Sequence, residues 1–276
     1  MTLEFIFQLI VSFIVGGCFI AFLSLLAERT NENVAGIIMM FPTTIVLGFF
    51  FLGFTTSAEK VAQIVPATLI PLGIIILSAV IYIHIAGLFS NFISSRIGQI
   101  AATFISSSLI WFVLAAPFAI WKFENLIIGI IGYFLLITIA HYFLNKKEQL
   151  VLKTQLAYTK IQILFRALFM GTVIATVVLL GKILNPFWGG IFTMFPAATF
   201  AALVSFHFYY SPDQLFFFFK KIPIGSISLF IYAISVMIFF PRFGIVLGTF
   251  FSYLICFLFT VAMVRYKLKS VSEQKQ

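Results

Sequence analysis

The chain has 276 residues, 62% hydrophobic and only 9% charged, with a net charge of +9. A soluble domain carries about 25% charged residues, so water is excluded as the main solvent, in keeping with a mean hydropathy of +1.17. The basic excess does not point to nucleic acid either: the lysines and arginines form no basic domain but fall between apolar runs, as the positive-inside rule places them.

A bilayer core about 30 Å thick takes roughly 20 apolar residues per helix. Apolar runs bounded by charges and turn residues predict an all-α polytopic membrane protein of nine helices. They lie near 5–27, 34–55, 66–88, 97–120, 125–144, 162–181, 188–209, 222–240 and 244–264. The first run lacks a basic leader and is too long for a signal-peptide core, so it is taken as a span. Arg96 is the only charge between 66 and 121. One helix of that length would reach roughly 84 Å, so two helices turning at Asn91–Arg96 are expected. Cys18 and Cys256 lie in apolar runs and read as small packing residues rather than a disulfide or metal site.

Lysine and arginine set the orientation. The connector around Lys146, Lys147, Lys153 and Lys160, with Arg166 beyond it, and the tail around Arg265, Lys267, Lys269 and Lys275 are both expected in the cytoplasm. Counting outward puts Arg29, Arg96, Lys220 and Lys221 on the same side, and Lys60, Lys122, Lys182 and Arg242 opposite, with the N-terminus outside. The expected division is a first membrane unit at 1–145, a basic connector at 146–161, a second unit at 162–266 and a cytoplasmic tail at 267–276.

The two units are related. Glu28–Thr44 reads ERTNENVAGIIMMFPTT and Lys182–Ala198 reads KILNPFWGGIFTMFPAA, at an offset of 154 residues. Asn31/Asn185, Gly36/Gly190, Ile37/Ile191, Met40/Met194, Phe41/Phe195 and Pro42/Pro196 are identical, as are Gly17/Gly171, Ile20/Ile174 and Ala21/Ala175 before them. Ile70–Gly73 still resembles Ile222–Gly225. With five spans in the first unit and four in the second, corresponding helices are five spans apart. An odd separation means opposite directions, hence an inverted-topology repeat of the kind found in secondary transporters.

Each proline falls near mid-membrane and has no N–H to give, so it strains the helix and frees a carbonyl four residues back, at Ile38 or Phe192. In a bilayer such a break must be satisfied by other groups. Two broken helices meeting at the membrane centre are therefore expected to line a substrate path. Its candidate residues are Asn31, Gly36, Met40, Phe41, Pro42, Thr43 and Thr44 in the first unit, and Asn185, Gly189, Gly190, Thr193, Met194, Phe195 and Pro196 in the second. A pair of proline kinks that merely shape the bundle is the competing reading. Glu28 and Lys182, a charge swap at equivalent positions, are candidate gating charges.

No carboxylate lies centrally in a predicted span, which disfavours ion coupling through Asp or Glu. His84, His141 and His207 are scattered and no metal-ligand spacing is present, so neither metal nor cofactor is expected. Nucleotide-binding loops, serine-hydrolase elbows and paired catalytic carboxylates are missing as well, and enzymatic chemistry is not expected.

The segment Gly189–Ala197 (GGIFTMFPA), preceded by Arg166-Ala-Leu and Leu180-Gly-Lys, resembles a widespread bacterial and archaeal family of small integral membrane proteins. These have about four helices, a GG-x-x-x-x-FPA signature and no settled activity. The resemblance covers roughly residues 162–265 and implies a prokaryotic cytoplasmic membrane and a helical architecture, not a substrate. The first unit departs from it with Ala35-Gly36 and an extra span.

The function expected is a permease or exporter of a small solute, anionic or neutral rather than cationic, with the bilayer as its partner. A lipid flippase or scramblase, and a non-transporting accessory subunit, are the alternatives; a homo-oligomer is compatible with all three. Reporters inserted in Asn31–Gly36 and in Asn185–Gly190 are predicted to map to opposite faces of the membrane. Mapping to one face would remove the inverted repeat.

Overall fold

A computed structural model describes residues 3–29, 42–145 and 159–273. Among these the regular elements are all helices. They are α1 (Leu3–Arg29), α2 (Thr43–Thr55), α3 (Ala58–Phe89), α4 (Arg96–Ile120), α5 (Leu126–Asn145), α6 (Lys160–Ile183), α7 (Pro186–Thr193), α8 (Ala197–Tyr209), α9 (Pro212–Phe219), α10 (Ile222–Gly225) and α11 (Ile227–Glu273). Seven helical stretches among the described residues are long and apolar enough to cross a membrane. Two places account for the difference from nine. The expected span 34–55 begins in residues outside those described, leaving α2 as a shorter apolar helix. The expected spans 222–240 and 244–264 fall in one helical stretch that reverses on itself.

That reversal is local. The 47 residues of α11 would reach about 70 Å if straight, but Gly244 adopts φ 71°, ψ −176°. An L side chain is strained there and glycine is not. Beyond it Gly248 lies against the backbone of Phe239 and Phe240, and the Cys256 thiol donates to the Ser228 carbonyl at 3.3 Å. The two limbs of α11 therefore pack side by side in opposite directions.

α3 is the central post, touching α2, α4, α5, α7, α8, α9 and α11. It is apolar around most of its circumference, and such a helix belongs in the interior; Val65, Leu69, Leu72 and Tyr82 are fully buried. Ser57 caps it, its hydroxyl accepting from the Lys60 N–H at 3.2 Å, so it starts at Ala58, ahead of the expected 66. The chain turns at Ser90–Ser95, and the Ser95 hydroxyl accepts from Gly98 N–H to start α4. Ser211 caps α9 in the same manner, 154 residues after Ser57, its N–H donating to Gln214 Oε1 at 2.9 Å. α4 and α5 expose Leu109, Val113, Ile127 and Ile131 on their outer faces, surfaces suited to acyl chains rather than water.

α1 makes its most extensive packing with α6. A Cβ on Gly17 would sit 2.9 Å from the Ala167 carbonyl oxygen, and one on Gly171 would sit 2.6 Å from that of Phe13. The index rises on one helix as it falls on the other, so α1 and α6 cross antiparallel, close to their midpoints. Small residues at such crossings let backbones approach. In α3 and α5 the sense is parallel: Gly129 faces Pro66 and Leu69, while Gly73 faces Tyr133 and Leu136.

The α1–α6 contact predicts an inversion of ordinary helix propensity. Gly→Ala in an open helical position gains up to about 1 kcal/mol, and nothing approaches a Cβ on Gly87 closer than 4.0 Å. Gly87→Ala should leave the thermal midpoint in detergent unchanged or raise it. Gly171→Ala should lower it, overpacking costing about 1–3 kcal/mol. Equal rises for both variants would mean that the crossing is looser than described.

Candidate functional site

The two prolines adopt one backbone geometry. Pro42 (φ −76°, ψ 43°) and Pro196 (φ −73°, ψ 44°) are the N-caps of α2 and α8, each 13 residues long. The first helical hydrogen bonds also correspond, Val46 N–H to Pro42 O at 2.8 Å and Phe200 N–H to Pro196 O at 2.7 Å.

In the second unit the helix stops completely before restarting. The Asn185 side chain starts α7 by accepting from Phe187 N–H at 3.0 Å and Trp188 N–H at 3.4 Å. Its end is closed by Met194 N–H to Ile191 O at 2.9 Å and Phe195 N–H to Phe192 O at 3.0 Å. This corrects one expectation: the Phe192 carbonyl is not freed by Pro196, because the tightened last turn takes it up. The break instead presents a helix N-terminus, whose first N–H groups have no partner inside the helix and carry a partial positive charge.

α2 and α8 direct these ends at one cavity of about 390 Å³, within the range of small-molecule sites, ~300–1,000 Å³. Pro42, Thr43 and Thr44 line it from one unit, and Phe195, Pro196, Ala197 and Thr199 from the other. Phe195 is held by stacking on Phe192 at 5.4 Å and by the edge of Trp111 at 5.0 Å. Two cationic residues, Arg166 of α6 and Lys221 between α9 and α10, also line it, and the described lining residues include no carboxylate. Most of the rest is apolar, including Ile20, Ile75, Ile76 and Met170.

The hydroxyls differ in what they have left to offer. Ser226 donates to Pro223 O at 2.7 Å and meets the Tyr133 hydroxyl at 2.9 Å, so its capacity is largely used. Thr44 is 7% exposed, and its hydroxyl has no hydrogen-bond partner among the described residues. A buried polar group left this way costs about 1–3 kcal/mol, which a bound molecule or water can recover.

Other predicted site residues lie elsewhere. Gly189 packs against Gly181 and Leu52, Gly190 against Ile64 and Thr68, and Thr193 against Gly48. The Thr193 hydroxyl donates to Gly189 O at 2.9 Å, and Met194 is wholly buried. Together they form a dry seam rather than cavity wall. From Arg166 at the cavity to Gly181 at the seam is about 22 Å along α6, so the cavity and the packed seam lie at different levels of the bundle. Lys182 is exposed beyond the seam. Asn31, Gly36, Met40, Phe41 and the Glu28 side chain lie outside the described residues.

Arg166, Lys221 and Thr199 enter the site although sequence reasoning gave the first two no site role and passed over the third. Thr199 is three residues past Pro196, as Ile45 is past Pro42, and both line the cavity; the repeat held that signal. The histidines stay apart from it. His207 is fully buried, its Nδ1 3.2 Å from the Tyr82 hydroxyl, while Arg96 donates to the Tyr210 carbonyl at the end of α8.

No protein-family model, curated protein or solved structure matches the chain.

Accessibility separates cavity from seam. With Cys18→Ser removing the exposed native cysteine and Cys256 buried, Thr199→Cys should react with a charged thiol reagent in proteoliposomes. Thr193→Cys, at a position 1% exposed, should be protected by at least about tenfold in rate. Equal labelling would show that the seam is open.

Proposed function

We propose that this protein is a membrane permease or exporter of a small solute, working by alternating access between two inverted repeats. The observation that carries the reading is one cavity lined by Pro42 and Pro196, the equivalent helix-starting prolines of both units. Repeat-based transporters place their substrates at such discontinuous helices between the halves.

Further support comes from the matching geometry at Pro42 and Pro196, the equivalent caps at Ser57 and Ser211 and the antiparallel crossing of α1 and α6. With the sequence-expected spans 34–55, 222–240 and 244–264 each counted, the chain has nine spans and the N-terminus lies outside. In that orientation the cavity's Arg166 and Lys221 lie towards the cytoplasm, and the reading makes this conformation inward-facing. Transport then requires the Gly181–Gly189–Leu52 seam to part while the α1 side closes. The largely apolar walls favour lipid flipping as the second reading.

The test is flux in proteoliposomes, with neutral and anionic organic solutes and fluorescent lipids as separate panels. Wild type should move a solute. Pro42→Ala and Pro196→Ala should each reduce flux about tenfold or more at an unchanged thermal midpoint, because a continuous helix removes the hinge. Movement of lipids alone favours the flippase, and unaltered flux in both variants rules out the substrate-path role of the prolines.

A further inference from the structure

We propose that the cavity binds an amphiphilic organic anion: a carboxylate or phosphate group at the N-termini of α2 and α8, with an apolar body along Ile75, Ile76 and Met170. This deepens, and rests on, the reading of the cavity as a transport site.

Three independent features specify the head group. Two helices of 13 residues direct their N-termini at the same space, and such ends favour negative charge by about 0.3–1 kcal/mol each, more when partly buried. Arg166 and Lys221 bring two cationic side chains to the wall, and the described lining residues include no carboxylate. The Thr44 hydroxyl, over nine-tenths buried and without a partner among the described residues, lines the same wall and can donate to an anionic oxygen. A cationic substrate would meet repulsion from the two helix ends and from Lys221.

The remaining wall specifies the body. A small inorganic anion can take the head-group contacts but would lose hydration against isoleucine, methionine and phenylalanine without gaining from that apolar wall. An alkyl or aryl chain gains from that surface, at about 25 cal/mol per Å² removed from water. Charge at one end and apolar surface at the other is thus the complement of this cavity. A free organic anion and the head of an anionic lipid share this chemistry.

The full chain in nanodiscs of zwitterionic lipid can be titrated with hexyl phosphate, hexanoate, hexanol, hexylammonium and inorganic phosphate. Hexyl phosphate or hexanoate should bind saturably, at least about tenfold tighter than the other three. Thr44→Val and Lys221→Gln should each weaken that binding severalfold, and Arg166→Gln about tenfold. Lys221 is exposed, so its variant tests the charge dependence even if Arg166→Gln fails to fold. Hexanol or inorganic phosphate binding as tightly as the organic anions would overturn the proposal, as would unchanged affinity in a folded Lys221→Gln. Adding phosphatidic acid to the nanodiscs tells the sources apart: competition assigns a lipid head, and its absence a free anion. Charge-dependent binding without flux in proteoliposomes would remove the transport reading and leave this site standing. Flux of a neutral solute without charge-dependent binding would do the reverse.

Discussion

Within a bilayer no water is at hand to satisfy a loose backbone N–H or carbonyl, so an interrupted helix is tolerated only where protein or a wet cavity meets the broken end. This chain interrupts itself ahead of α8, and Pro42 repeats that backbone geometry at the start of α2. The carbonyl side of the second break is repaired internally by the tight turn through Met194 and Phe195. What remains to be satisfied is the N–H side. Both N–H ends face the same cavity, where Thr44, Arg166 and Lys221 also gather. The cavity and its positive character thus follow from where two prolines fall.

The rest of the bundle holds those two ends in place. α3 runs through the middle and contacts both interrupted segments, α2 and the α7–α8 pair. The Gly17–Gly171 crossing brings α1 against α6 at backbone distance, and α6 carries Arg166 to the cavity and Gly181 to the seam. One helix therefore serves both the cavity and the seam. A rocking motion of α6 would couple them, the behaviour that alternating access asks of a repeat unit.

Much of this was legible from residue type and spacing. Apolar runs placed the long helices, and the isolated Arg96 marked the turn between α3 and α4. The Asn, Gly, Met-Phe-Pro match singled out the breaks, because proline and glycine act on the backbone of their own segment and announce themselves locally. Features set by tertiary contact were not legible. Ser57 extends α3 well ahead of its apolar run through one cap hydrogen bond, and Ile222, the expected start of a span, instead opens the one-turn α10. The α7 glycines look like a substrate path in sequence but pack into the seam, since a glycine suits close helix contact and ligand approach equally. Arg166 and Lys221 carry no pattern that separates a site cation from a topology signal; only their convergence in space does so.

The central claim is that the helix starts at Pro42 and Pro196 open onto water rather than onto packed protein or acyl chains. Hydrogen–deuterium exchange of the whole protein in lipid nanodiscs addresses it directly, residue by residue. The account predicts rapid exchange at Thr44, Ile45, Ala198 and Thr199, with slow exchange one to two turns later at Phe49 and Leu203, both fully buried. Slow exchange at all of these amides alike would mean that the breaks are dry, and would contradict the account.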